Sequence, residues 1–259
     1  MKHRGLNTAG HRSAFQGVAN IVRFNWHFYV LAVVGVALGL LVARWLGGYW
    51  YVTGICVAIG VLATTLISLL VSWYVYDKSE LYRFEWLPNI SAGAKIVNIH
   101  AGFDETSVLL ADKYPTAELT VLDFYDPELH TEVSIKRARK MYPSYPGTIR
   151  ITTDDLLLED DSVDVVFLLM AAHEIRDAEE RGHFFRRIHR GLKPGGRVVL
   201  TEHLRDGPNT LAYSFGVFHF LPYEEWHLTF SLAGFEEISE EKITPFLTTF
   251  TLIKDVDSP

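Results

Sequence analysis

The sequence predicts an α/β protein: a doubly wound, mostly parallel sheet ending in an antiparallel strand pair, preceded by a transmembrane helical hairpin. Two observations carry this. Short apolar runs alternate with helical patterns between residues 95 and 201, the signature of βαβ units. The chain is also split in charge. Residues 1–76 contain no Asp or Glu, and all 31 acidic residues follow Tyr76. Of the 24 lysines and arginines, only Lys2, Arg4, Arg12, Arg23 and Arg44 precede that point. Four segments follow: a basic N-terminal segment (1–25), a two-helix transmembrane hairpin (26–76), an interfacial linker (77–90) and an α/β domain (91–259).

Each hairpin helix is read from an uncharged stretch. Trp26 to Trp45 carries no charge before Arg44, and Tyr49 to Tyr76 carries none. About 20 apolar residues span a bilayer as a helix. Trp26, Phe28 and Tyr29 mark one interface, and Trp45, Tyr49, Trp50 and Tyr51 mark the other. Trp73, Tyr74 and Tyr76 return to the first, as interfacial aromatics should. Gly47-Gly48 makes the tight connection. Basic residues flank both outer ends (Lys2, Arg4, Arg12 and Arg23; Lys78 and Arg83). The positive-inside rule therefore places both termini in the cytoplasm. A cleaved signal peptide is a poor match, because the apolar core is too long and a second span follows. The hairpin also offers a surface for homo-oligomer formation. Residues 77–90 mix charges with Leu81, Tyr82, Phe84, Trp86 and Leu87. They read either as a segment at the membrane interface or as a linker helix packed on the domain.

The domain opens with a strand at Lys95–Ile99, then a helix from Glu105 to Lys113. A second strand, Leu119–Asp123, ends in an acid. A basic helix spans Thr131–Met141, and short strands follow at Thr148–Thr152 and Val163–Leu169. The latter is nearly all apolar, as a strand buried on both faces should be. A helix from Asp177 to Gly191 precedes a fifth strand at Arg197–Thr201. Tyr223–Ala233 reads as a helix, and Glu236–Lys242 with Phe246–Lys254 as the closing strand pair.

Composition excludes some functions. The chain's net charge is −7, and after Tyr76 all 31 acids face only 19 of the 24 bases. So acidic a domain argues against nucleic acid as a partner, because phosphate binding needs clustered Lys and Arg. The single cysteine, Cys56, permits no intrachain disulfide and no cysteine zinc site.

Phe185 to Glu202 reads Phe-Arg-Arg-Ile-His-Arg-Gly-Leu-Lys-Pro-Gly-Gly-Arg-Val-Val-Leu-Thr-Glu. This stretch, with Asp160-Asp-Ser-Val-Asp-Val-Val-Phe167 upstream and Trp226 and Ala233-Gly-Phe235 downstream, resembles the class I methyltransferases. The likeness is to their small-molecule branch of quinone and sterol methyltransferases, and it covers about residues 90–254. It implies a Rossmann-like fold, S-adenosylmethionine as cofactor and a small-molecule acceptor. A membrane anchor adds lipids as neighbours and suits a lipophilic acceptor. The family expects an acid and several glycines after the first strand. Here the stretch reads Asn98-Ile-His100-Ala-Gly102-Phe-Asp104. Only Gly102 keeps a glycine where backbone must approach ligand, and His100 is bulky. The resemblance leaves a methyltransferase or a catalytically inactive scaffold of that fold at the membrane. A Rossmann-like domain for another adenosine cofactor is a third reading, which the fifth-strand turn and closing strand pair disfavour.

By the same resemblance, Asp123 is the acid that takes the ribose hydroxyls, or else a strand-end turn residue. Phe124 lies toward the adenine. Asp154 and Asp155 fall near the adenine amine, or are solvated loop acids. Asp104 suits a helix N-cap. His173, after the fourth strand, and His203, after the fifth, lie at the carboxyl edge where such sheets build their sites. Either suits a general base, or is a hydrogen-bonded loop histidine. His173, Glu174, Glu202 and His203 match no recognised metal spacing, so no metal is expected. The basic run Lys136-Arg137-Ala-Arg139-Lys140 reads as a solvated helix face or a contact for anionic headgroups. Leu211 to Leu221 is too short to span a bilayer and unusually aromatic. It reads as a lid over a lipophilic acceptor, a surface dipping into the membrane, or a core helix.

Overall fold

The computed structural model describes residues 12–256; Lys2 and Arg4 of the basic flank lie outside them. A short helix α1 (Gln16–Phe24) leads into two long helices, α2 (Trp26–Leu46) and α3 (Gly48–Trp73). Both are long and apolar enough to cross a membrane. Their apolar side chains face outward, with Leu38 58% and Leu62 60% exposed. Small residues let the two backbones approach, since a Cβ on Gly54 would lie 2.6 Å from that of Ala43. A π-helical turn (Tyr74–Lys78) follows α3.

Residues 79–94 form no helix. Leu81, Phe84 and Leu87 are buried, Phe84 and Leu87 against the sheet and Leu81 against Val75 and Leu247. The linker helix does not form, and these three side chains are buried against protein.

The domain is a seven-stranded sheet in the order β3-β2-β1-β4-β5-β7-β6. Its strands are β1 (Lys95–His100), β2 (Glu118–Asp123), β3 (Ile149–Arg150), β4 (Val163–Leu169), β5 (Leu192–Glu202), β6 (Glu237–Thr244) and β7 (Leu247–Ile253). Strands β1 to β5 are parallel, and β7 and β6 add the antiparallel pair. The helices are α4 (Ser107–Lys113), α5 (Val133–Met141), α6 (Ala178–Gly191), α7 (Gly207–Tyr213) and α8 (Tyr223–Leu232). One face of the sheet packs Ile99, Leu122, Val166 and Leu200 against Phe184, Phe185, Trp226 and Phe230. The other packs Ile96, Val165 and Phe167 against Leu110, Tyr114 and Phe84. Each buried Phe contributes roughly 1.5–3 kcal/mol.

Three elements differ from the sequence reading. β3 is two residues long, because only Leu122 and Asp123 of β2 pair with it. β5 starts at Leu192, because Val163 pairs with Leu192 and Lys254 exchanges backbone hydrogen bonds with Gly195 and Gly196. α4 starts at Ser107, because the Asp104 carboxylate accepts the Thr106 and Ser107 amides at 2.9 Å and holds residues 104–106 in a turn.

Candidate active site

Parallel pairing brings four strand ends to one edge: His100 beside Asp123, and Leu169 beside Thr201 with Glu202 next. At the β1–β2 end, Gly102 adopts φ +90. A Cβ there would meet Arg139 Nη1 at 2.8 Å and Tyr125 Cβ at 2.9 Å, so glycine is required twice over. The buried His100 ring accepts the Gly102 amide on Nδ1 at 3.1 Å. Its Nε2 faces Asp104 Oδ2 at 3.9 Å, and both atoms are buried without a hydrogen-bond partner. Asn98 is buried, donating to Thr106 Oγ1 and Ser107 Oγ, while its own Oδ1 has no partner.

Asp123 is only 2% exposed. Its Oδ1 accepts the Tyr125 amide at 3.0 Å, and its Oδ2 accepts Arg139 Nη1 at 2.7 Å. Arg139 also donates to the Gly102 carbonyl at 3.1 Å and lies over the Tyr125 ring. This corrects the surface reading of the basic run at Arg139, whose guanidinium turns inward to the acid at the β2 end. Arg137 likewise reaches the Phe24 carbonyl and His27.

Helix α1 straps this half of the edge. Asp77 accepts the amides of Gly17 and Val18 at 2.6 and 2.9 Å. A Cβ on Gly17 would sit 2.4 Å from Tyr76 Cβ, so only glycine allows this approach. Arg12 pairs with Glu105 at 3.0 Å and stacks over Tyr82, and Tyr82 donates to the other Glu105 oxygen at 3.1 Å. Phe24 meets Phe103 and Tyr142 edge-on.

Beyond β2, a cavity of about 440 Å³ is lined by Phe124, Tyr125, His130, Ile151, Thr153 and Asp155 among others. Phe124 also packs into the core on Phe184. Both Asp154 and Asp155 are exposed; Asp155 lines the cavity, and the Asp154 carbonyl takes Arg187.

The β4–β5 end is polar and titratable. Met170 leaves β4 with φ +55, a strained conformation for a non-glycine residue, and turns the chain into the short 3-10 helix Ala172–Glu174. His173 donates from Nδ1 to Glu202 Oε2 at 2.7 Å, and its amide donates to Glu202 Oε1 at 3.2 Å. Burial would lower the pKa of His173, but the Glu202 charge and hydrogen bonds with Glu174 and Glu202 raise it to about 10. Glu174, despite its burial, is held well below the usual carboxylate range by His173 and His219.

His203 is the opposite case. Burial lowers its pKa to about 4. The Asn209 amide nitrogen donates to Asp206 and to the Phe246 carbonyl, so its oxygen faces His203 Nδ1 at 3.0 Å and takes that proton. His203 Nε2 is then an acceptor, and the Tyr76 hydroxyl donates to it at 2.8 Å. Tyr76 belongs to the π-helical turn below α3, so the base of the hairpin closes over the end of β5. α3 also packs on α7. Within residues 211–221, Ala212, Val217 and Leu221 are buried, while Leu211, Phe215 and Phe218 are 74%, 88% and 65% exposed.

Asn98, His100, Gly102, Asp104 and Asp123 thus gather at one half of the edge, and His173 and His203 at the other. Sequence reasoning missed Tyr76, Arg139 and His219, which reach the edge from distant elements. For Arg139 the sequence offered a basic run in an acidic domain, but that run reads as a solvated face.

Residues 98–200 match a family described as a methyltransferase domain. The chain is similar to the ubiquinone/menaquinone biosynthesis C-methyltransferase UbiE of Geotalea daltonii, 27% identical over 124 residues. That match covers 46% of this chain and 48% of the relative, so the chain matches about half the length of the curated relative. Among solved structures, human N-acetylserotonin methyltransferase in complex with SAM has a TM-score of 0.55 at 15% identity, covering 91% of this chain and 70% of that one. A putative O-methyltransferase of Nostoc punctiforme has a TM-score of 0.51 at 17% identity, covering 92% of this chain and 73% of that one. These structures share the fold.

Proposed function

We propose that residues 91–259 form a class I methyltransferase domain and that the protein is a membrane-anchored, S-adenosylmethionine-dependent methyltransferase acting on a lipophilic acceptor reached from the bilayer side. The observation that carries this is the bond between His203 at the end of β5 and Tyr76 at the base of the hairpin. It turns the sheet's functional edge toward the membrane helices. The exposed Leu211, Phe215 and Phe218 flank α3 there and suit insertion among lipid headgroups. The relative's place in ubiquinone and menaquinone biosynthesis agrees with a lipophilic ring as acceptor.

The residues fit the cofactor. Asp123 offers a carboxylate to ribose hydroxyls. The neighbouring cavity, with Phe124 and Asp155 on its wall, suits adenine. The unpartnered His100 Nε2 and Asp104 Oδ2 lie beside Gly102, where a zwitterionic methionine group supplies both a donor and an acceptor. Arg139 stands on Asp123, and its partly exposed side chain must swing away to free the carboxylate. When bound, the cofactor supplies a sulfonium methyl for in-line transfer.

The chain's own residues position the acceptor and handle its proton. His203 is neutral at pH 7 and carries a lone pair on Nε2, so an acceptor hydroxyl in place of the Tyr76 hydroxyl would find a base there. His173, held cationic by Glu202, stabilises an acceptor oxyanion. α1 and the domain meet at the same end of the hairpin, and the basic flanks Arg12, Arg23, Lys78 and Arg83 at that end support a cytoplasmic placing by the positive-inside rule.

The test is transfer of a radiolabelled methyl group from S-adenosylmethionine to lipid-soluble material, with the full chain in nanodiscs loaded with a lipid extract. Label should enter the organic phase, and His203→Ala should lower the rate at least about 100-fold. Label found only in the aqueous phase would overturn the lipophilic acceptor.

A further inference from the structure

We propose that His173, Glu174 and His219 bind a single divalent transition-metal ion at the carboxyl end of β4. His173 Nε2 lies 3.5 Å from Glu174 Oε1, and His219 Nε2 lies 3.7 Å from the same oxygen. One ligand atom from each residue falls within 4.8 Å of the others. Two ligands about 2.0–2.1 Å from a tetrahedral ion sit roughly 3.4 Å apart, so the two edges to Glu174 need to close by only a few tenths of an ångström, and the two imidazoles, within 4.8 Å of each other, draw together around the ion. Two imidazoles and one carboxylate suit zinc, iron or cobalt and leave coordination positions open.

The surroundings are built for this. Metal-binding histidines generally give their second ring nitrogen to a carboxylate, which fixes the ring. His173 Nδ1 meets Glu202 Oε2 at 2.7 Å, and Glu202 is 1% exposed. His219 Nδ1 accepts from Arg176 and has Glu132 Oε1 at 3.3 Å, so that carboxylate can take over the nitrogen once Arg176 turns away. Both rings therefore present Nε2 to Glu174. Three carboxylates (Glu132, Glu174 and Glu202) face Arg176 and the proton of His173. An ion on His173 takes the place of that proton, and the carboxylates then leave a surplus of negative charge for it.

Arg176 opposes the site. It donates to the His219 carbonyl and contacts both ring nitrogens, at 3.3 Å for Nε2. It is exposed and free to turn to solvent, so removing it should tighten binding. The ligands sit on two 3-10 turns, Ala172–Glu174 and Ser214–His219, too far apart in sequence for any motif to reveal them. If the proposed methyl transfer holds, the ion would hold and polarise an acceptor oxygen beside His203.

The test uses untagged, chelator-treated full-length protein in detergent, titrated with Zn²⁺ and with Co²⁺. One ion per chain should bind, and Co²⁺ should give the visible absorption of a four- or five-coordinate site. Glu174→Gln and His219→Ala should each weaken binding at least about 10-fold. Arg176→Ala should strengthen it, and the exposed His183→Ala should leave it unchanged. Folded protein that binds no ion, or variants at Glu174 and His219 that bind as tightly as wild type, would overturn the site. S-adenosylhomocysteine affinity, measured on the same samples, separates this outcome from failure of the methyltransferase reading.

Discussion

The carboxyl edge of the sheet has two halves built on different principles. At the β1–β2 half, side chains of the protein already occupy the polar groups a ligand would use: Arg139 on Asp123, Gly102 held by His100, and α1 strapped across through Arg12 and Asp77. At the β4–β5 half the polar groups are held in titratable pairs, with His173 raised to about 10 beside Glu202 and His203 lowered to about 4 beside Tyr76. A ligand at the first half must displace a side chain. A ligand at the second competes with a proton at His173, the Tyr76 hydroxyl at His203 and the exposed Arg176 at His219. The first half is thus a gate, and the second is chemistry waiting for a partner.

Glu202→Gln breaks this contrast most strongly. It removes the buried partner of a charged histidine, a loss of about 3–5 kcal/mol, read by denaturant unfolding of chelator-treated protein at pH 6. The pH dependence carries the sign. The folded pKa of His173, about 10, lies above its ordinary 6.5. Its stabilisation is therefore full below about pH 6.5 and fades as pH rises toward 10. Wild-type stability should fall across that window, and the Glu202→Gln slope should be flatter. An equal slope in the variant would remove Glu202 as the source.

Arg139→Ala sharpens the gate. Freed of the guanidinium, Asp123 should bind S-adenosylhomocysteine more tightly by about 1.5–3 kcal/mol, the scale of a hydrogen bond to a charged group. Weaker binding in a folded variant would make Arg139 a ligand contact instead.

Much of the fold was legible in sequence because its signals are local. Val163–Leu169 is an apolar run of strand length, and it is β4 as read. Asp177 precedes α6 and caps it, accepting the Glu179 and Glu180 amides. The uncharged stretches are the long helices. The candidate site was legible only where one residue type at one strand end carried the signal, as for Asp123, His173 and His203. Arg139, Tyr76 and His219 act across the fold, and Arg139 sits in a run whose charge pattern looks solvated. The loop from Asn98 to Asp104 misled in a different way. Its bulky His100 does not fill the Gly102 turn but accepts its amide, which a lost glycine pattern cannot show.

The central claim, a working cofactor site at Asp123 despite that altered loop, is tested most directly by calorimetric titration of the full-length protein in nanodiscs with S-adenosylhomocysteine. One saturable site is expected, and Asp123→Ala should weaken it by about 1.5–3 kcal/mol, the loss of hydrogen bonds to a charged acceptor. Folded wild-type protein with no heat of binding at millimolar ligand, or an Asp123→Ala variant that binds as tightly as wild type, would contradict it.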